Sequence, residues 1–144
     1  MKKPKLFYIK IYPYDQDVLI ILGGDIDDVI NLMKDKKRVS IEKGKKNIEK
    51  LEEYKNDLIE KGDYPQRSRG CTYPLPYGAV ISFEDLKPDK YTVMHEGVHL
   101  IDSIFEKCGV PITKDNEEAR AYHLEDFVKR FDTNFNRKEN LYKK

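Results

Sequence analysis

His95-Glu96-Gly97-Val98-His99 places two histidines four residues apart, with a glutamate directly after the first, in the pattern HExxH. On a helix, residues i and i+4 lie one turn apart on one face, so both imidazoles can reach a single ion. Glu96 stands about 100° round the helix from His95. That is too far round to complete the ligand set. It is near enough to take a proton from a water on the metal. The chain has 3 histidines in 144 residues, and two of them fall at this spacing. By residue frequencies, the pentapeptide arises by chance in well under about one in a hundred chains of this length.

The flanks predict a helix over residues 90–108, stopped by Gly109 with Pro111 beyond it. Met94, Val98, Ile101, Ile104, Phe105 and Cys108 recur at helical spacing and are expected to form its buried face. His99, Asp102 and Glu106 project within about 40° of His95, so the polar residues share one stripe. Asp102, one turn past His99, is either an acceptor for the free imidazole N–H or a surface residue.

A hydrolytic zinc site needs three protein ligands and an open position for water. A ligand six residues after His99 is excluded, because that position is Phe105. The other source is a glutamate on the next helix. Asn116-Glu117-Glu118-Ala119-Arg120-Ala121-Tyr122 opens a helix expected from about residue 115 or 116 to 134, and Asp115 with Glu118 has capping-box spacing. Ala121, Leu124, Val128 and Phe131 form its apolar stripe, with Glu117 in line. A glutamate on a core stripe is costly unless paired or ligated. A carboxylate in a first helical turn is also favoured by the helix dipole alone. Tyr122, one turn past Glu118, could orient it or donate to a developing oxyanion, though a tyrosine at helical spacing reads first as core packing; His123, about 140° from Glu118, reads as surface or core.

Further out, residues 6–12 and 18–22 are aromatic and β-branched and predict two strands, the first ended by Pro13, the second by Gly23 and Gly24. A short polar turn between them makes a hairpin or neighbouring strands. Asp25 caps a short helix with Ile26, Val29, Ile30 and Met33 at helical spacing. Residues 40–61 form a long charged helix with Ile48, Leu51 and Leu58 on a narrow stripe and Gly62 as its cap. Residues 63–78, with Pro65, Gly70, Pro74, Pro76 and Gly78, read as irregular loop. Residues 79–84 form a further strand, and the polar tail past the last helix frays. The expectation is one α+β domain over residues 1–144, a few-stranded sheet packed on a metal-bearing helix and the helix after it. Residues 1–78 supply strands and a charged helix of unrecognised role, and residues 79–135 the metal-bearing core.

HExxH followed by a glutamate in an ExxA pattern resembles the gluzincin group of zincin-type zinc metallopeptidases. Within it, the small size and the Glu-x-x-Ala-Tyr segment resemble short, phage-encoded or mobile-element HExxH proteins, with a looser likeness to repressor-cleaving peptidases of mobile elements. The likeness covers about residues 91–128 and implies Zn2+ held by His95, His99 and Glu118, since Glu118-Ala119-Arg120-Ala121 gives ExxA. Glu117 does not, because Arg120 occupies its fourth position. Glu96 would be the catalytic base, and the strand at residues 79–84 would precede the metal helix and offer an edge to an extended peptide.

Composition narrows the partners. Charged residues make up 37% of the chain, yet the formal net charge is +1 and the signs are interleaved. No strong field invites nucleic acid or an acidic membrane. The basic run Lys34 to Arg38 and Lys2, Lys3 and Lys5 read as a solvated helix end and a mobile terminus. No secretory leader or membrane-length apolar run is evident, and Cys71 and Cys108 read as free thiols, so a cytoplasmic protein is expected. The function implied is a zinc metallopeptidase acting on a peptide or protein. The alternative is a zincin-fold binding or regulatory module with weak or absent proteolysis. A purely structural zinc site is disfavoured, because such sites usually have four protein ligands.

Overall fold

The stretch Val18 to Leu22 holds no polar side chain to turn toward water, and such a strand needs cover on both faces. The computed structural model, which describes residues 4–12, 14, 16–35, 41–62, 64 and 69–136, provides that cover. Strands β1 (Lys5–Ile11), β2 (Gln16–Leu22), β3 (Gly70–Pro74) and β4 (Ala79–Phe83) form one sheet in the order β1-β2-β4-β3. β1 and β2 pair antiparallel, β2 and β4 parallel, and β3 and β4 antiparallel. Helices α1 (Ile26–Asp35) and α2 (Ile41–Glu60) cover one face, and α3 (Lys90–Lys107) and α4 (Glu117–Phe135) the other.

The pleat sorts the core into two clusters. Phe7, Ile9, Ile11, Val18, Ile20, Leu22, Ile81 and Phe83 meet Val93, Leu100 and Ile104 of α3 and Phe127 and Phe131 of α4. Leu6, Leu19, Ile21, Val80 and Tyr73 meet Ile26, Val29 and Ile30 of α1 and Leu51 of α2. The molecule is α+β as expected, with the sheet between two helical layers. The N-terminal strands are part of the same sheet as β3 and β4.

Most expected elements lie within a few residues of their predicted places. Three expectations change. Residues 70–74 are the strand β3, not loop: Cys71-Thr72-Tyr73 is strand-forming chemistry obscured by the surrounding prolines and glycines. The strand at 79–83 is interior, so β3 and not β4 is the sheet edge on the α3 side. The Asp115–Glu118 capping box is not formed; a 3-10 turn, Lys114–Asn116, leads into α4, and Asn116 makes no side-chain cap bond to it. At α1, Asp25 and Asp28 cap reciprocally, each carboxylate accepting from the other's backbone N–H at 3.1 and 3.0 Å. Lys2, Lys3, Pro13, Lys36 to Arg38, Pro65 and the tail past residue 136 lie outside the described residues.

Candidate metal centre

α3 begins firmly. Asp89 caps it, accepting from the Thr92 backbone N–H at 2.8 Å and from the Thr92 hydroxyl at 3.1 Å, and Arg69 pairs with its carboxylate at 3.3 Å. The Thr92 N–H holds the Asp89 carboxyl below the usual carboxylate range. At the other end Lys107 donates from Nζ to the carbonyls of Leu75 and Gly78 and to Gln16, and burial lowers its pKa.

The helix is rotated from the expected register. Its buried arc is Val93, Glu96, Gly97, Leu100, Ile101, Ile104 and Phe105. Met94 and Val98 are each 41% exposed, and Cys108 is exposed as well. The reason lies in Gly97. A Cβ there would stand 2.8 Å from Leu124 Cδ1 and 2.9 Å from Phe127 Cδ2, so the bare backbone is the seat on which α4 packs. A helical glycine costs about 1 kcal/mol against alanine, which is the signal in the sequence that something must approach it.

This rotation turns the histidines away from the core and Glu96 into it. His95 and His99 are exposed, and their Nε2 atoms lie 3.3 Å apart. Glu96 is 5% exposed, with Oε2 at 3.9 Å from His95 Nε2 and Oε1 accepting a 2.7 Å hydrogen bond from the Thr72 hydroxyl of β3. Two ligands of a tetrahedral zinc at 2.0–2.1 Å from nitrogen are separated by about 3.3–3.4 Å, so the imidazole pair has the spacing the ion requires. Neutral imidazole nitrogen is also a donor type zinc accepts readily.

The proposed third ligand is not gathered. Glu117 and Glu118 are both exposed in the first turn of α4, and among the described residues no group of three His, Cys, Asp or Glu side chains is assembled to hold an ion. Arg120 pairs with Asp102 through Nε at 3.0 Å and Nη2 at 2.7 Å, while Leu124 and Phe127 cover Gly97. α4 therefore runs back along α3, and its first turn lies past His99 toward the end of α3.

Four further expectations are settled. Asp102 has Arg120 as its partner. Tyr122 is 67% exposed and packs no core. His123 is half-buried, its ring 5.2 Å from Tyr14 and 5.7 Å from Phe105. The stripe expected on α4 is displaced toward Phe127 and Phe131, which are buried, while Ala121 and Glu117 are exposed. The burial cost that drew attention to Glu117 is therefore absent. Thr72 was not anticipated, because its segment read as loop. No family model, no curated protein and no solved structure matches the chain.

Proposed function

We propose that the chain is a zinc-dependent metallopeptidase whose centre is the imidazole pair of His95 and His99. One observation carries the reading: two Nε2 atoms at the ligand spacing of zinc, with a buried carboxylate beside them. A bound zinc supplies Lewis acidity, acidifying a water and polarising a carbonyl. The chain's own part is carried by Glu96. Its Oε2, the oxygen nearer His95, would take a proton from a water at the site and return it to the leaving amine. Glu118 is the third ligand proposed, with Glu117 as its competitor. β3 is a sheet edge among the described residues and touches Glu96 through Thr72, and an extended peptide laid along that edge would bring its backbone past Glu96.

The test is metal content with mutants. We expect about one zinc per chain in purified protein, a loss of affinity of more than about a hundredfold in His95→Ala, and a larger loss in Glu118→Gln than in Glu117→Gln. Glu96→Gln should keep zinc affinity and lose hydrolysis of a mixed peptide library at equal zinc occupancy. Protein that takes up no transition metal sinks the reading. Zinc uptake without cleavage leaves the alternative, a regulatory module on the same fold. The proposal is for a protein without a membrane span, consistent with the absence of any described helix long and apolar enough to cross a bilayer. A cytoplasmic location is part of the same proposal.

A further inference from the structure

We propose that Thr72 is a positioning residue for Glu96, fixing which of the two carboxylate oxygens faces the histidine pair. The inference rests on the reading of Glu96 as the base, and names what aims it.

A glutamate side chain has three rotatable bonds and two equivalent oxygens, so a base at the edge of a core needs something to select its pose. Thr72 supplies it. The hydroxyl lies 2.7 Å from Oε1 of Glu96 and 3.2 Å from the Glu96 carbonyl oxygen, so one O–H group sits against both ends of the same residue. Oε1 is thereby occupied, and Oε2 is the oxygen left at 3.9 Å from His95 Nε2. The stem is held as well. A Cβ on Gly70 would lie 3.0 Å from Glu96 Cγ, so the β3 backbone closes over the side chain at that point.

The alternation of the strand sets this up. Thr72 faces Ile81 of β4 in the antiparallel register, and its side chain is on the α3 side, while Cys71 and Tyr73 pack in the cluster on the opposite face. The hydroxyl is a neutral donor, so it orients the carboxylate without placing a competing charge beside the zinc ligands. A threonine is also stiff at χ1, which keeps the donor in place. The Thr72 hydroxyl bonds to Glu96, so its action is on the pose of the base and not on the ion.

The experiment compares wild type, Thr72→Val and Thr72→Ser as full-length protein. Valine keeps the branched shape and removes the hydroxyl; serine keeps the hydroxyl. The first readout is the crystallographic position of the Glu96 carboxylate, which needs no activity. In Thr72→Val it is expected to rotate or occupy two conformers, and in Thr72→Ser to keep Oε1 on the hydroxyl. A carboxylate that keeps its pose in Thr72→Val overturns the proposal, whether or not the protein cleaves anything. Should Thr72→Val not fold, Thr72→Ala reads the same coordinate. The second readout is kinetic, on any peptide found to be cleaved. We expect kcat to fall about tenfold with KM unchanged in Thr72→Val, and serine to restore it. Zinc affinity measured by chelator competition should stay within about twofold. An unchanged kcat, or a loss of zinc that tracks the loss of rate, also overturns it. If the wild type cleaves nothing, the peptidase reading fails by itself and the crystallographic comparison still decides the role of Thr72.

Discussion

Both helical layers bury apolar side chains against the sheet, but the two helices within each layer meet differently. α1 and α2 bury Ile26, Val29, Ile30 and Leu51 on the sheet and add polar ties to residues 74–77 and to each other. Asn47 is buried and exchanges two hydrogen bonds with the backbone of Tyr77, at 2.9 and 3.0 Å. The Tyr54 hydroxyl donates to the Pro74 carbonyl at 2.7 Å, and Lys55 pairs with Asp27 at 2.6 Å. α3 and α4 meet through close packing, with Gly97 under Leu124 and Phe127 and an aromatic cluster of Phe7, Phe83, Phe127 and Phe131 behind it. Polar ties can stretch and re-form through water, whereas a packed seat has one fit. The layer carrying the histidines is the one built to a single fit.

The sharpest way to break this comparison is one substitution made in both layers. Gly97→Ala should destabilise the fold by about 2 kcal/mol, because the new methyl enters space held by Leu124 and Phe127. Gly44→Ala in α2 meets nothing within 4 Å and should stabilise it by about 0.5–1 kcal/mol. Urea unfolding of both proteins reads the two signs; equal signs would remove the distinction. Next, Asn47→Ala removes two hydrogen bonds to the Tyr77 backbone and should cost about 1–2 kcal/mol, while the zinc affinity proposed for the histidine pair should stay at the wild-type value. A large change in zinc affinity would mean that the layers are coupled through the sheet. The smallest effect concerns Asp102 and Arg120, whose side chains are 33% and 28% exposed. Each single charge reversal should cost about 1 kcal/mol, and the exchanged pair should recover most of it in a double-mutant cycle. Two losses that simply add would show that the pair does nothing for the seating of α4.

Much of this was legible in the chain. β1, β2, β4 and all four helices follow from runs of apolar residues bounded by glycine, proline or a capping aspartate, and the HExxH spacing named the two histidines that come together. What was hidden has specific causes. The face of α3 could not be read from hydrophobicity. Its centre is a glycine, its edge is a buried glutamate, and two of its apolar residues, Met94 and Val98, point outward. α4 misled in the same way, because Ala121 counts as apolar yet lies outside the contact made by Phe127. β3 was masked by flanking glycine and proline, and with it went Thr72, whose importance depends on which strand lies beside α3. Local composition carries no such information.

The contacts between β3 and α3 form a series: Arg69 to Asp89, Thr72 to Glu96, and the Leu75 carbonyl to Lys107. Both chains advance in the same direction along it. From the first tie to the second the strand gains three residues, about 10 Å at 3.3 Å each, and the helix seven, about 10.5 Å at 1.5 Å each. The two advances match over that interval; from the second tie to the third the helix gains eleven residues, about 16.5 Å, against about 10 Å of strand, and the long Lys107 side chain reaches back to make the contact. A one-residue slip of β3 in its pairing with β4 would turn Thr72 to the far face of the sheet and lose its bond to Glu96. Three polar ties spaced along β3 oppose sliding of α3 in a way that apolar contact alone would not.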